Sequence, residues 1–439
     1  MKVNRKCVVI SRFCAGHKSA AEGKEIDTIF KQDAFDFISL RSGKDLNGML
    51  VLFLTISIFL PFYVSMAAVS IIAFMTVINY ERRAEAFGDL YSVGIVLFFL
   101  FTGFVGQVYN NHIGTAYSLF AAALLVCGFY IRSFMTKQLF DQAMDTACLS
   151  SVACAVVAVF QKITTYATNP TFRPISTFTN ANYYATIIEF VVLIALYRMI
   201  TNAQNRRFYL IVIASNLLGL YLSASMSAIF SLGLAVLVFL FLKGKRKVAM
   251  IIGLGGLVLV AVGLLLPELF PRVEVIDQTF DQRVNIWTTS IKGITHHPIF
   301  GQGAAAYRLA CEEYFGYKTY HAHNLYLDTL LNFGLVGAVV MTGYLYSQAK
   351  IVLIRFRSRI CGNMNILLAA CSCAIMVHGF TDVTIFWGQT AMLFLLIFSS
   401  TGINAVSANG ILRVRQRLAA ATGFMEHAKQ ENAPVYKNN

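Results

Sequence analysis

Apolar runs close to bilayer length recur along this chain, with short polar segments between them. About twelve can be marked, at roughly 47–62, 63–80, 90–109, 115–134, 146–162, 182–201, 208–223, 225–242, 248–266, 325–347, 365–381 and 384–403. A helix of about 20 apolar residues crosses the hydrocarbon core of a bilayer. Inside lipid the backbone must satisfy its own hydrogen bonds, which favours helices. The pattern predicts an all-α, polytopic membrane helical bundle with about 12 transmembrane helices. The first two runs are one stretch broken near Pro61, which reads as a hairpin. The seventh and eighth are separated only by Ser223 to Ser227, which leaves a discontinuous pair open.

The polar segments carry an orientation signal. Basic clusters fall at Arg82-Arg83, Arg206-Arg207, Lys243 to Lys247, Arg355 to Arg359 and Arg413 to Arg417. Alternating the runs from Lys243 puts all of them on one side, and positive loops are retained in the cytoplasm. An even number of spans then leaves both termini cytoplasmic. The chain divides into a polar tail at 1–46, a membrane-embedded domain at 47–403 and a second tail at 404–439. Two sizeable loops face outward, at 163–181 and at 267–323. The second is the longest polar stretch and lies between the ninth and tenth spans. Loops of that length usually carry function.

Composition agrees. Hydrophobic residues make up 57% and charged residues 13%, against about 25% charged in soluble domains. The net charge of +14 then reads as cytoplasmic loop charge and not as a nucleic-acid surface. The nine cysteines include no C-x-x-C pair and mostly lie in or beside apolar runs. They read as small packing residues, neither a disulfide framework nor a zinc site. Residues 1–47 are polar and no cleavable signal peptide is read there, so the first span is expected to act as its own insertion signal. No transporter-like internal repeat is evident.

The chemistry concentrates in the second outward loop. Arg283 and Trp287 lie on a stretch, 282–294, that predicts a helix with Val284, Trp287, Ile291 and Ile294 on one apolar stripe. Arg283 is either a snorkelling interfacial arginine or a fixed guanidinium for phosphate. Pro298 with Gly301 and Gly303 reads as a turn, since a lone G-x-G without a preceding strand is weak evidence for phosphate binding. The segment Tyr320 to Gly337 then opens an apolar run with His321, His323 and Asn324. Three readings compete: a metal site, a general base, or helix capping. A zinc site would need His296 or His297 as a third ligand, and no acidic residue has a ligand-like spacing. Capping explains Asn324 but not two histidines. A histidine at the mouth of an apolar pocket can take a proton at neutral pH. Glu189, within a span, is an ionisable residue in a costly place. Tyr183, Tyr184 and Tyr326 read as interface-belt aromatics.

These motifs, in this order, resemble the integral-membrane O-antigen ligase and O-antigen polymerase superfamily over roughly residues 150–400. The resemblance rests on Arg283 four before Trp287, on Pro298-x-x-Gly301-x-Gly303, and on His323-Asn324 followed by Gly334 and Gly337. Upstream, Arg173, Phe178, Asn180 and Asn182 look like the family's arginine and asparagine-rich helix start. Downstream, His378 to Asp382 is similar to its His-Gly-x-x-Asp. One departure stands out: where the family often has Ser-Arg-Gly, this chain has Met226 after Ser225. Arg173 is the residue expected to supply the missing cation.

The resemblance implies a membrane glycosyltransferase that needs neither metal nor nucleotide cofactor. It would move a glycan from a polyprenyl-diphosphate-linked oligosaccharide to an acceptor glycan or lipid-linked sugar on the outer face of the cytoplasmic membrane. A flippase and a chain-length regulator of the same pathway are the implied protein partners, with membrane lipids around it. Catalytic roles are expected for His323, as base, and Arg283, on the diphosphate. Substrate-binding roles are expected for Arg173, Asn324, His321, Trp287, Asn180, Asn182, Asp382 and His378. Glu312 or Glu313 as a covalent nucleophile is the rival route. Ligase and polymerase share these motifs. A transporter or flippase of lipid-linked glycan is the alternative of another class, and would be expected to place its ionisable groups at mid-span.

Overall fold

A computed structural model describes residues 46–88, 90–266 and 276–404. The tail at 1–46, save Leu46, the tail at 404–439, save Asn404, and loop residues 267–275 lie outside the described residues. Fifteen α-helices and no strand occur among the described residues: α1 (Leu46–Ile58), α2 (Phe62–Ile78), α3 (Tyr80–Ala86), α4 (Leu90–Val108), α5 (His112–Phe134), α6 (Lys137–Tyr166), α7 (Ala181–Thr201), α8 (Arg206–Ser223), α9 (Met226–Leu242), α10 (Arg246–Leu265), α11 (Ile276–His296), α12 (Tyr307–Glu313), α13 (Leu325–Arg357), α14 (Gly362–His378) and α15 (Gly388–Phe398).

Each of the twelve apolar runs has become a helix, but not each is a full span. Six helices are long and apolar enough to cross a bilayer: α4, α5, α6, α7, α10 and α13. A seventh is counted if α2 and α3, bent by 105°, form one span. Helices α1, α9 and α14 are apolar but only 13 to 17 residues long. At 1.5 Å per residue, 17 residues reach about 25 Å, short of a hydrocarbon core of about 30 Å. Capping residues and turns make several of the twelve runs shorter as helices than as apolar stretches.

Helix α7 is the hub. It is buried on nearly all sides, as an all-apolar helix inside a bundle must be. Helices α6, α8, α9, α14 and α15 pack around it. The Asn180 side chain starts it by accepting the Asn182 N–H at 2.7 Å. Its Phe178–Tyr184 stack is wholly inside, so Tyr184 is a core residue and not the belt aromatic expected.

Basic residues among the described segments gather at one end of the bundle, the cluster at Arg413 to Arg417 lying outside the described residues. At the C-terminal end of α7, Arg198 grips Asp145 with Nε and Nη2, at 2.7 and 2.8 Å, and reaches Asp141 at 3.0 Å. Tyr197 and Tyr209 hydroxyls donate to the same two carboxylates. Lys243, ending α9, donates to Asn363 at the start of α14. Arg355, fully buried, donates to the carbonyls of Ser400, Thr401 and Ile403. Helix α8 starts and helix α9 ends at this end of the bundle. Their junction, with Ala224 left-handed at φ 49°, lies at the other end.

The described part of the long polar loop, residues 276–323, is largely helical. The stripe expected on α11 is displaced: Val284 and Ile291 are exposed, whereas Ile286, Thr289, Ser290 and Gly293 are buried. Small residues on that face let α11 close on α12 and α13. A Cβ on Gly293 would stand 2.6 Å from Leu331 Cδ1. The Pro298 to Gly303 turn docks into a kink in α13. Gly334, at φ +61°, breaks that helix. The freed Leu335 and Val336 N–H groups donate to the carbonyls of Pro298 and Ile299, at 2.8 and 3.0 Å. Gly303 N–H donates to Asn332 O at 2.9 Å. Gly301 and Gly334 thus serve one joint: a Cβ on Gly301 would collide with the backbone of Leu331 and Asn332, and one on Gly334 with that of Ile299 and Phe300, while Gly303 lies against Gly106 of α4.

Candidate functional site

At the end opposite the basic clusters, one carboxylate collects residues from four parts of the chain. Asp382, in the turn after α14, is 2% exposed. Its Oδ2 accepts from Asn182 Nδ2 at 2.6 Å and its Oδ1 from Val383 N–H at 2.8 Å. Oδ1 also stands 3.3 Å from His323 Nδ1 and 3.8 Å from His321 Nε2. The chain continues outward from Asn182, whose Oδ1 accepts from Arg173 Nη2 at 2.6 Å. Arg173 Nε donates to Ser223 O at 2.7 Å. A network therefore runs from the α8–α9 junction through Arg173, Asn182 and Asp382 to the two histidines. Burial pushes the Asp382 carboxyl up, but the His323 imidazole beside it, with His321 and His378, outweighs it and holds the group well below the usual carboxylate range.

The two histidines differ. Their rings meet edge to face with centroids 4.2 Å apart. Burial pushes His321 down to about 4, against the pull of Asp382, so it is neutral at physiological pH. His323 sits at a left-handed φ of 47° immediately before the helix. Its Nδ1 faces Asp382 and its Nε2 lies 3.3 Å from the Thr319 hydroxyl. A carboxylate beside Nδ1 fixes the proton there and leaves the Nε2 lone pair free to accept. The 3.3 Å contact is longer than a charge-assisted bond of about 2.8 Å, and such contacts often tighten only with substrate bound.

A second pair lies deeper. His378, 2% exposed, meets Glu189 Oε1 at 2.6 Å through Nδ1, and Glu189 Oε2 accepts from Ser231 at 2.7 Å. Its Nε2 is buried with no hydrogen-bond partner. Arg283 lies on α11, which packs against α12 and α13. Glu189 stood out in the sequence only as a charge within an apolar run. Its partner had to come from a helix 189 positions away.

The other expected residues divide. Asn324 caps α13: its Oδ1 accepts from the N–H groups of Tyr326 and Leu327, and its Nδ2 donates to Phe380 O. The group beside His323 Nδ1 is Asp382. Asn180 caps α7 on the exposed side. Trp287 packs under the loop with Tyr307, Ala310 and Leu331, its indole N–H buried and without a partner. His296 stacks on Tyr314 and His297 meets Tyr109; neither joins the cluster. The three-ligand set a metal would use is instead His321, His323 and Asp382, whose ligand atoms lie within 4.8 Å of one another. Sequence spacing hid it, since Asp382 belongs to a distant turn. Glu312 and Glu313 lie on α12 and do not enter the Asp382 network.

Fold and site together define an integral membrane helical bundle with a histidine–carboxylate–arginine network at the end away from Arg198, Lys243 and Arg355. Residues 209–342 match the family model described as O-antigen ligase. The match bears out the resemblance read from the motifs, to the O-antigen ligase and polymerase superfamily. It spans α8 to the middle of α13, so it holds Arg283 and His323 but not Asn182, His378 or Asp382. No curated protein matches the chain.

Proposed function

We propose that this protein transfers a glycan from a polyprenyl-diphosphate carrier to a sugar hydroxyl at the outer face of the cytoplasmic membrane, as a polysaccharide polymerase. The observation that carries this is the convergence of Asp382, His323 and Arg173 at the end of the bundle remote from the basic clusters. In the reaction, His323 Nε2 takes the acceptor hydroxyl proton while that oxygen attacks the anomeric carbon. The bond to the phosphate oxygen breaks, and its electron pair leaves on the polyprenyl diphosphate. Arg283 meets that charge as it develops, with Arg173 at the α8–α9 junction where the family's own arginine is replaced by Met226. Asp382 holds the imidazole in the accepting tautomer and stabilises the imidazolium. A single direct displacement inverts the anomeric centre.

Orientation follows the basic clusters: Arg198, Lys243 and Arg355 on the cytoplasmic side put Asp382 outside. The same motifs suit a ligase, and chain-length profiles in a deletion strain separate the two. Single repeats still attached to the surface would mark a polymerase, and loss of all attachment a ligase. In that strain His323→Ala should leave lipid-linked repeats accumulating outside. Repeats held inside would instead point to transport, and unchanged polymer would overturn the base assignment.

The His321, His323 and Asp382 set also suits a divalent cation by residue type. Against it, Asp382 already accepts from Asn182 and Val383 N–H, and Asn182 ties it to the Arg173 guanidinium, a fixed cation that would repel a second one. Transfer should therefore survive dialysis against a strong chelator. Loss of activity restored by added zinc or manganese would move the assignment to metal chemistry.

A further inference from the structure

The loop between α12 and α13 carries a feature that the transfer chemistry does not use. A cavity of about 640 Å³ is lined by Arg308, Glu312, Phe315, Lys318, Thr319 and Tyr320, among others. That volume lies within the range of small-ligand sites. Its walls are built and not loose. Tyr307, itself buried, donates its hydroxyl to Tyr317 O at 2.9 Å. Asn285 of α11 accepts the Tyr317 N–H at 2.8 Å. Gly316 is tucked so tightly under Thr289 that a Cβ would stand 2.6 Å from its hydroxyl. The backbone is thus pinned from α11 and α12 while the side chains face outward. Phe315 is 94% exposed at a left-handed φ of 54°, and Tyr320 is 74% exposed. A phenyl ring so placed gains nothing from packing and holds a backbone conformation unfavourable to non-glycine residues.

The cavity is joined to the proposed base. Thr319 lines it, and the Thr319 hydroxyl is the group 3.3 Å from His323 Nε2. The imidazole therefore has two sides. Nδ1 looks to Asp382, Asn182 and Arg173, and Nε2 looks to the cavity. A hydroxyl arriving from the cavity would take the place that Thr319 holds now.

We propose that this cavity is the acceptor subsite: it binds the saccharide whose free hydroxyl attacks, with Phe315 and Tyr320 as stacking faces and Arg308, Glu312 and Lys318 as hydrogen-bonding groups. Apolar sugar faces stack on aromatic rings, and their hydroxyls suit charged donors and acceptors. The donor's diphosphate belongs on the other side, with Arg173 and Arg283. This assignment rests on the transfer reading for its direction, but glycan binding in the cavity does not require turnover.

The test is binding of the free repeat-unit oligosaccharide, released by mild acid from the cell's own lipid-linked pool, to the full-length protein purified in detergent and followed by saturation-transfer NMR. Wild type should bind, and the Phe315→Ala/Tyr320→Ala double variant should bind at least 10-fold more weakly. Both rings are exposed, so the double variant keeps the fold, and a thermal-unfolding midpoint matching wild type verifies that. Equal binding by the double variant, or no binding by wild type, overturns the subsite. If His323→Ala binds the oligosaccharide and still makes polymer in cells, the subsite stands and the base assignment falls.

Discussion

At the scale of single residues, the site's chemistry depends on what each histidine faces. Asp382→Asn keeps the size of the side chain and its contact with Asn182, but removes the charge that fixes the His323 proton. Transfer should fall by about 10²–10⁴-fold, the usual worth of a general base, with the thermal midpoint nearly unchanged. Loss of fold in place of turnover would make Asp382 structural. His321 makes a different prediction. Its folded pKa, about 4, lies below the ordinary 6.5. The unfolded chain therefore takes up a proton that the folded protein refuses. Stability from this group is whole above about pH 6.5 and is lost as pH falls towards 4, by up to about 3 kcal/mol. Thermal unfolding in detergent from pH 7.5 to 4.5 should show this decline, and His321→Gln should flatten it. The histidine pair was legible in the sequence because two imidazoles before an apolar run exceed what capping needs. The carboxylate that aligns them was visible only as a motif near the last spans, because no periodicity links two distant turns.

At the scale of elements, the glycine motifs are explained by a joint and not by a ligand. Pro298, Gly301 and Gly303 were legible as a turn, and the structure keeps them so. What the sequence does not reveal is that the turn docks where Gly334 interrupts α13. The kink cannot be read from a continuous apolar run, since hydrophobic periodicity carries no information on one backbone dihedral. A Cβ at Gly334 would lie 2.3 Å from Ile299 O, and its φ of +61° already disfavours any side chain. Gly334→Ala should lower stability by about 2 kcal/mol or more and, by shifting the start of α13, displace His323. Thermal midpoint and polymer yield should fall together; wild-type values for both would show that the joint is slack. The α11 stripe was misplaced for a related reason: a helix docking through Thr289, Ser290 and Gly293 buries its small residues and leaves Val284 and Ile291 outside.

At the scale of the whole molecule, the two ends of the bundle do different work. One end is sealed by charge: Arg198 holds Asp141 and Asp145 between α6 and α7, and its side chain is 6% exposed. The other gathers the groups proposed for catalysis. The alternation of apolar runs and basic clusters pointed to two unlike ends in the sequence. The division is testable by a change made far from Asp382. Arg198→Met keeps a long side chain but removes the guanidinium that Asp141 and Asp145 share, leaving Asp145 without a cation and Asp141 with Lys137 alone. Breaking such a pair costs about 3–5 kcal/mol, so the yield of folded protein should drop sharply. Turnover per folded molecule, measured on the monodisperse fraction, should stay within about twofold of wild type, because no residue of the Asp382 network touches Arg198. Asp382→Asn should give the reverse, normal yield with little turnover. If Arg198→Met instead lost turnover at normal yield, the two ends would be coupled through α7, and the charged end would have to be counted among the working parts of the site.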